Sequence, residues 1–165
     1  KGSLWAESTR APLMIRLPGM DKAQDCEHAV NLLDLHPTVI DLCGLPARPD
    51  IDGRSIVPLL ENPTQDWPYP TVTTQGYGNH SVVYEDWHYI QRRDGVNELY
   101  HLKSDPYEHK NLIRSDNPVA AQVLAQLKSF VPTDLAPELP KNEPGLSKEG
   151  FDMTLKKTRN LAKLK

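Results

Sequence analysis

From Thr71 the chain alternates apolar and polar positions with a period of two. Thr71 to Gln75, His80 to Tyr84, Trp87 to Arg92 and Glu98 to His101 are short runs rich in Val, Thr, Tyr and Trp. Gly76-Tyr77-Gly78-Asn79, Glu85-Asp86 and Arg93-Asp94-Gly95 separate them. Turns this closely spaced predict antiparallel hairpins, hence a four-stranded meander with Val72, Val82, Tyr84, Trp87, Tyr89 and Leu99 on its packed face. A sheet of this size needs a cover. Asn117-Pro118 is a cap followed by a first-turn proline, and Ala120, Val123, Leu124, Leu127, Phe130 and Val131 recur at helical spacing up to Pro132. A helix over 118–130 lying across the sheet is the expected cover.

The front of the chain follows a different pattern. Pro12 to Leu17, closed by Pro18-Gly19, is an apolar run that predicts a buried strand. His28 to Leu33 predicts a second one. Asp34 then stands where a helix N-cap belongs, Pro37 suits a first turn, and Leu35, Val39, Ile40 and Leu42 supply an apolar stripe up to Gly44. These give a helix over 35–43, followed by a turn at Asp52-Gly53 and a short helical turn capped by Ser55 that buries Ile56, Leu59 and Leu60. Asp34, Asp41 and Asp52 read as capping and turn residues rather than metal ligands. Three prolines in residues 61–70 exclude a helix or a central strand and predict a connection between domains. A buried strand needs neighbours on both sides, and the 12–17 run has none upstream. The expectation is therefore that this is the back portion of a larger protein.

Composition adds little to this reading. Fifteen prolines and a hydrophobic share of 38% in 165 residues favour a loop-rich module. A net charge of −3 gives no general attraction to nucleic acid. No apolar run has the roughly 18 to 20 residues that span a bilayer. Cys26 and Cys43 fit no metal motif and are expected to be small buried hydrophobes, although pairing stays open. The end of the chain is basic, with Lys156, Lys157, Arg159, Lys163 and Lys165, and reads as a solvated tail with a weak amphipathic helix.

Four stretches, in order, resemble the sulfatase family of the alkaline-phosphatase-like superfamily. They are Lys1-Gly2-Ser3-Leu4-Trp5 through Ser8-Thr9-Arg10-Ala11-Pro12-Leu13 to Pro18-Gly19; Asp34-Leu35-His36-Pro37-Thr38 to Gly44-Leu45-Pro46; Ile51-Asp52-Gly53-Arg54-Ser55; and Leu99-Tyr100-His101-Leu102 with Asp105-Pro106-Tyr107-Glu108 and Asn111-Leu112. Two departures stand out. Ala6 replaces a customary acid, with Glu7 next to it, and His101 replaces a customary Asp.

The resemblance implies an α/β to α+β chain: the end of a large mixed sheet, then a small four-stranded antiparallel sheet packed on a C-terminal helix. It implies the end of a catalytic domain over 1–66, a small C-terminal domain over 67–134 and a tail over 135–165. The branch it points to is iduronate-sulfatase-like. In this family the lysine at the position of Lys1 contacts the sulfate. The nucleophile, a formylglycine or serine in a Cys/Ser-x-Pro-x-Arg motif, and the calcium or other divalent ion beside it fall on the missing N-terminal part, which becomes the implied partner. The fragment alone is expected to be inactive. The substrate is expected to be a sulfated small molecule or glycan, and the compartment periplasmic, secreted or lysosomal.

One further site is readable in residues 76–80. Asn79 and His80, after two glycines around Tyr77, offer polar groups to a sugar hydroxyl or carboxylate, which the family's use of a small-domain loop favours; a plain hairpin turn explains them as well. His28, His36, His88 and His109 are read as surface residues without a role. Two other functions fit the same residues: a free-standing carbohydrate- or protein-binding module, and part of a phosphonate or phosphodiester hydrolase on the same fold.

Overall fold

A computed structural model describes residues 2–138. One compact unit runs to Thr133 and another begins at Asp134; the account below concerns the first. The expectation of a helical basic tail falls in 139–165, outside the described residues.

The meander forms as the period-two pattern requires. Strands β1 (Thr71–Thr74), β2 (His80–Tyr84), β3 (Trp87–Gln91) and β4 (Glu98–His101) lie in the order β1-β2-β3-β4, all antiparallel. Val72 pairs with Val82, Val82 with Tyr89 and Tyr89 with Leu99, so all four residues share one face. Helix α4 (Pro118–Ser129) covers that face, and its first turn is capped by Asn117, whose side chain accepts from the Val119 amide at 2.9 Å. Val82, Tyr89, Leu99, Ala120, Leu127 and Val131 form the buried core, flanked by Val72, Tyr84, Trp87, Val123, Leu124 and Phe130. Mixed α/β architecture with a helix-packed small sheet is thus present.

The front of the chain differs from the sequence expectation. It contains α1 (Ala6–Thr9), a 3-10 turn (Leu32–Asp34), α2 (Leu35–Leu42) and α3 (Val57–Glu61), but no strand. Residues 12–17 and 28–33, expected to be strands, form no ladder pairs among the described residues, and Leu32 and Leu33 enter the 3-10 turn instead. A strand exists only as part of a ladder, and neither run joins the sheet; the second is held through side chains instead, His28 Nε2 meeting the Gln65 carbonyl at 2.9 Å and Asn31 Oδ1 accepting from the Val72 amide at 3.2 Å. Leu13 and Met14 are exposed instead, Met14 at 89%.

Two further corrections concern α2. Its apolar stripe is largely outward, with Val39 and Leu42 exposed, and the side chain it buries is Thr38. Thr38 Oγ1 donates to the Asp34 carbonyl at 2.5 Å and accepts from the Ile56 amide at 3.0 Å, tying α2 to the start of α3. Asp34 does not cap α2. Its carboxylate turns back to accept from the amides of Asn31, at 2.7 Å, and Arg54, at 3.0 Å. The Arg54 bond draws the 53–54 backbone against the 3-10 turn. There a Cβ on Gly53 would stand 2.1 Å from the Leu33 carbonyl oxygen, so this glycine serves a close approach. Ser55 acts as expected, accepting from the Val57 amide at 3.2 Å, and Ile56 and Leu59 are buried. Both cysteines are unpaired and exposed rather than buried. Cys26 lies in the polar connection, and Cys43 at the outward C-terminal end of α2.

Candidate functional site

The second face of the sheet is polar, and it carries the opening segment of the chain. Ser81, His88, Ile90, Glu98 and Tyr100 point to it, as the pairs Ser81 with Ile90, His88 with Tyr100 and Ile90 with Glu98 require. Leu4 is buried on this face against Ile90 and Tyr100. Next to it, Trp5 Nε1 donates to Glu98 Oε2 at 2.7 Å, and the Ala6 amide donates to Glu108 Oε2 at 2.8 Å. The segment is thereby held at three consecutive residues.

Each carboxylate is itself held. Glu98 also accepts from the Tyr100 hydroxyl at 2.6 Å and from Arg92 Nε at 3.0 Å. Burial opposes its ionisation, but the bonds from Trp5, Tyr100 and Arg92, with the Arg92 charge, outweigh burial and hold its carboxyl below the ordinary value. Burial and the adjacent carboxylates push the Tyr100 phenol far up, so it remains a donor. Glu108 Oε1 accepts from Nδ1 of His88, whose Nε2 meets Ser81 Oγ at 2.6 Å. His88 is fully buried, contrary to its reading as a surface residue: on the polar face it has Ser81 on one side and Glu108 on the other.

A Ser-His-Glu chain has the connectivity of a hydrolytic triad. Ser81, at 2% exposure, and His88, at none, lie beneath the opening segment. In this buried position the Ser81-His88 pair holds the Glu108 carboxylate in place.

The Asp105-to-Leu112 stretch is a clasp for the same region. Asp105 accepts from the amides of His109 and Lys110, closing its own loop, and those bonds hold its carboxyl below the ordinary value. Asn111 Oδ1 accepts from the Leu99 amide at 3.0 Å, and the Leu112 amide donates to the Leu99 carbonyl at 2.7 Å. Glu108 is thus presented from a loop locked onto β4. His101 takes a structural part, meeting Ser104 Oγ through Nδ1 and the Trp87 ring edge-on.

The residues singled out from sequence are placed as follows. Lys1 lies outside the described residues. Gly2 sits at the end of the sheet, where a Cβ on it would be 3.6 Å from Gln75 Nε2, so the opening segment adjoins the loop after β1. Asn79 Nδ2 donates to the carbonyls of Gln75 and Tyr77, and its Oδ1 accepts from the Arg93 amide, which stitches the hairpin tip together. His80 is buried on the helix side. Its Nδ1 meets Thr74 Oγ1 at 3.0 Å, its Nε2 has no partner among the described residues, and burial depresses its pKa. Sequence reasoning did not single out Trp5, Glu98 or Glu108. Trp5 stands inside the opening pattern and Glu108 inside the Asp-Pro-x-Glu stretch, but spacing does not say that they meet.

Among the described residues no cluster of three or more His, Cys, Asp or Glu is placed to hold a metal ion. The acidic groups of the front region are engaged locally: Asp34 with two amides, Asp41 with Ser55 Oγ at 2.5 Å, and Asp50 with Arg48. These donors do not fit a divalent-metal cage, which needs several oxygens converging on one point.

Comparison with known proteins bears on this arrangement. The family described as N-sulphoglucosamine sulphohydrolase, C-terminal, matches residues 1–134. A sulfatase of Formosa agariphila is 31% identical over 132 residues, covering 80% of this chain and 26% of that protein. Arylsulfatase K of Danio rerio is 28% identical, covering 79% of this chain and 27% of the relative. A delta 4,5-hexuronate-2-O-sulfatase of Bacteroides thetaiotaomicron is 27% identical, covering 78% and 29%. The chain therefore spans roughly a quarter of the length of these relatives. With the match extending over nearly all the described residues, the chain belongs to the sulfatase family of N-sulphoglucosamine sulphohydrolase, as its C-terminal region.

Proposed function

We propose that this chain is the C-terminal part of an enzyme that hydrolyses sulfate esters of a sulfated carbohydrate, in the iduronate-sulfatase-like branch, and that Lys1 contacts the sulfate. The observation that carries the reading is the fixing of Leu4, Trp5 and Ala6 on the polar face of the small sheet, with Gly2 beside Gln75. A lysine at the head of an anchored segment can hold its charge in a fixed place, and preorganised charge at a transferring group in a dry site contributes about 3 to 4 kcal/mol. The sugar part of the substrate is supported by the family's name and by the hexuronate sulfatase among the relatives.

Formylglycine, calcium and the nucleophilic step belong, in this reading, to a part of the protein outside this chain, since neither Cys26 nor Cys43 stands in a Cys/Ser-x-Pro-x-Arg motif. Exposed Leu13, Met14, Leu32, Leu33, Val39 and Leu45 support such a partner. Covering a large aliphatic side chain is worth about 1.5 to 3 kcal/mol, so this front region gains by packing under the remainder of a sulfatase.

The test is Lys1→Ala in the full-length sulfatase. Turnover of a sulfated disaccharide is expected to fall strongly with the melting temperature retained; undiminished turnover removes Lys1 from the site. The purified 165-residue chain is expected to release no sulfate from aryl or glycan sulfates with calcium present, and release would show that the nucleophile lies within it.

A further inference from the structure

Two carboxylates from different elements converge on neighbouring residues of one short segment. Glu98, at the start of β4, grips the side chain of Trp5; Glu108, from the clasp loop, grips the main-chain amide of Ala6. Leu4, buried between Ile90 and Tyr100, is the third point of attachment. Three attachments of different direction fix the rotation of a segment as well as its position. Glu108 reaches this place with φ at +56°, a backbone conformation unfavourable for a side chain of its kind, and is held there from His88 and Ser81.

Apolar packing alone would hold a segment to a sheet with fewer penalties, because a buried carboxylate must be compensated by bonds on nearly every lone pair. What polar contacts supply is register, since each donor has a single acceptor position. We propose that Glu98 and Glu108 are positioning residues: by fixing the Leu4-Trp5-Ala6 backbone they support the sulfate contact proposed for Lys1. The proposal rests on the reading of Lys1 given above. Neither glutamate touches substrate; both act through the segment, and Ser81 and His88 act through Glu108.

The experiment is a set of double-mutant cycles in the full-length sulfatase, combining Glu98→Gln, Glu108→Gln and Trp5→Phe each with Lys1→Ala. With Lys1 present, kcat is expected to fall about ten- to a hundredfold for the glutamine variants, the scale for a misplaced group, with KM nearly unchanged. Trp5→Phe, which keeps the ring and removes the N–H, is expected to act in the same direction. In the Lys1→Ala background the same changes are expected to have no further effect on kcat. Should a glutamine variant not fold, Trp5→Phe decides. Losses that multiply with that of Lys1→Ala, or unchanged kcat in Trp5→Phe while Lys1→Ala is impaired, overturn the positioning role and leave the lysine's role intact. Full turnover by Lys1→Ala overturns the lysine reading itself, and the positioning role with it.

Discussion

Trp5 and Glu98 stand 93 residues apart in the chain, and the indole N–H of one donates to the carboxylate of the other at 2.7 Å. This bond, with those from Tyr100 and Arg92, favours the ionised form of Glu98 in the folded state over the unfolded chain. Because its folded pKa lies below the ordinary 4.5, the associated stability is complete above 4.5 and is lost as pH falls through the lower folded value. Glu98→Gln is therefore expected to flatten the acid limb of a plot of urea midpoint against pH. Identical acid limbs for the two proteins would sink this account.

His80 has the opposite charge type and the same sign of pH dependence. Burial lowers its pKa below the usual 6.5, so the unfolded chain binds the extra proton first as pH falls. Stability that is full above 6.5 is expected to decline from there toward the folded value. His80→Leu, which cannot titrate, should lack that portion of the decline; an unchanged slope between pH 6.5 and the acid limb would show that His80 does not contribute to it.

Gly53→Ala tests the close approach between the 53–54 backbone and the 3-10 turn. The new methyl would stand 2.1 Å from the Leu33 carbonyl oxygen, and backbone on both sides must shift. A loss of about 1–3 kcal/mol, the range for overpacking, is expected in chemical denaturation. A loss below the scatter of surface substitutions, about 0.5 kcal/mol, would mean that the contact relaxes freely.

Leu127→Ala and Val39→Ala separate the two ways in which an apolar helical position can be used. Leu127 is fully buried in the core under α4, and its truncation is expected to cost about 2–5 kcal/mol. Val39 is 56% exposed, so in the 165-residue chain its truncation should stay within about 0.5 kcal/mol. Equal losses would show that α2 packs far more closely than its exposure indicates.

These cases show why one half of the fold is readable from the sequence and the other is not. In the meander every pairing partner lies within a hairpin, so alternation at Val72, Val82, Tyr89 and Leu99 specifies both the strands and the covered face. The helix over Ala120 to Leu127 has its partner next to it and a clear cap at Asn117. Residues 12–17 carry the same kind of apolar signal with no ladder beside them, and composition cannot report whether a neighbour exists. Val39 and Leu42 likewise state that something apolar is wanted without saying where it comes from. The polar face was opaque for another reason: Trp5 with Glu98, Ala6 with Glu108 and Ser81 with His88 join residues whose spacing follows no period. Asn79 illustrates the ambiguity of a loop residue, since the amide that makes it a candidate for a sugar is the one that stitches its own turn.

The two faces of the β-sheet also differ in how freely their sequence can drift. On the helix side, Val82, Leu99, Ala120 and Leu127 ask only for apolar volume, and compensating swaps of similar size leave such a cluster nearly as stable. On the other side, each of Glu98, Tyr100, His88, Ser81 and Glu108 completes a neighbour's hydrogen bonding, so a single replacement strands a buried partner. Changes there must come in matched sets, and the same small sheet combines a tolerant surface with a nearly frozen one.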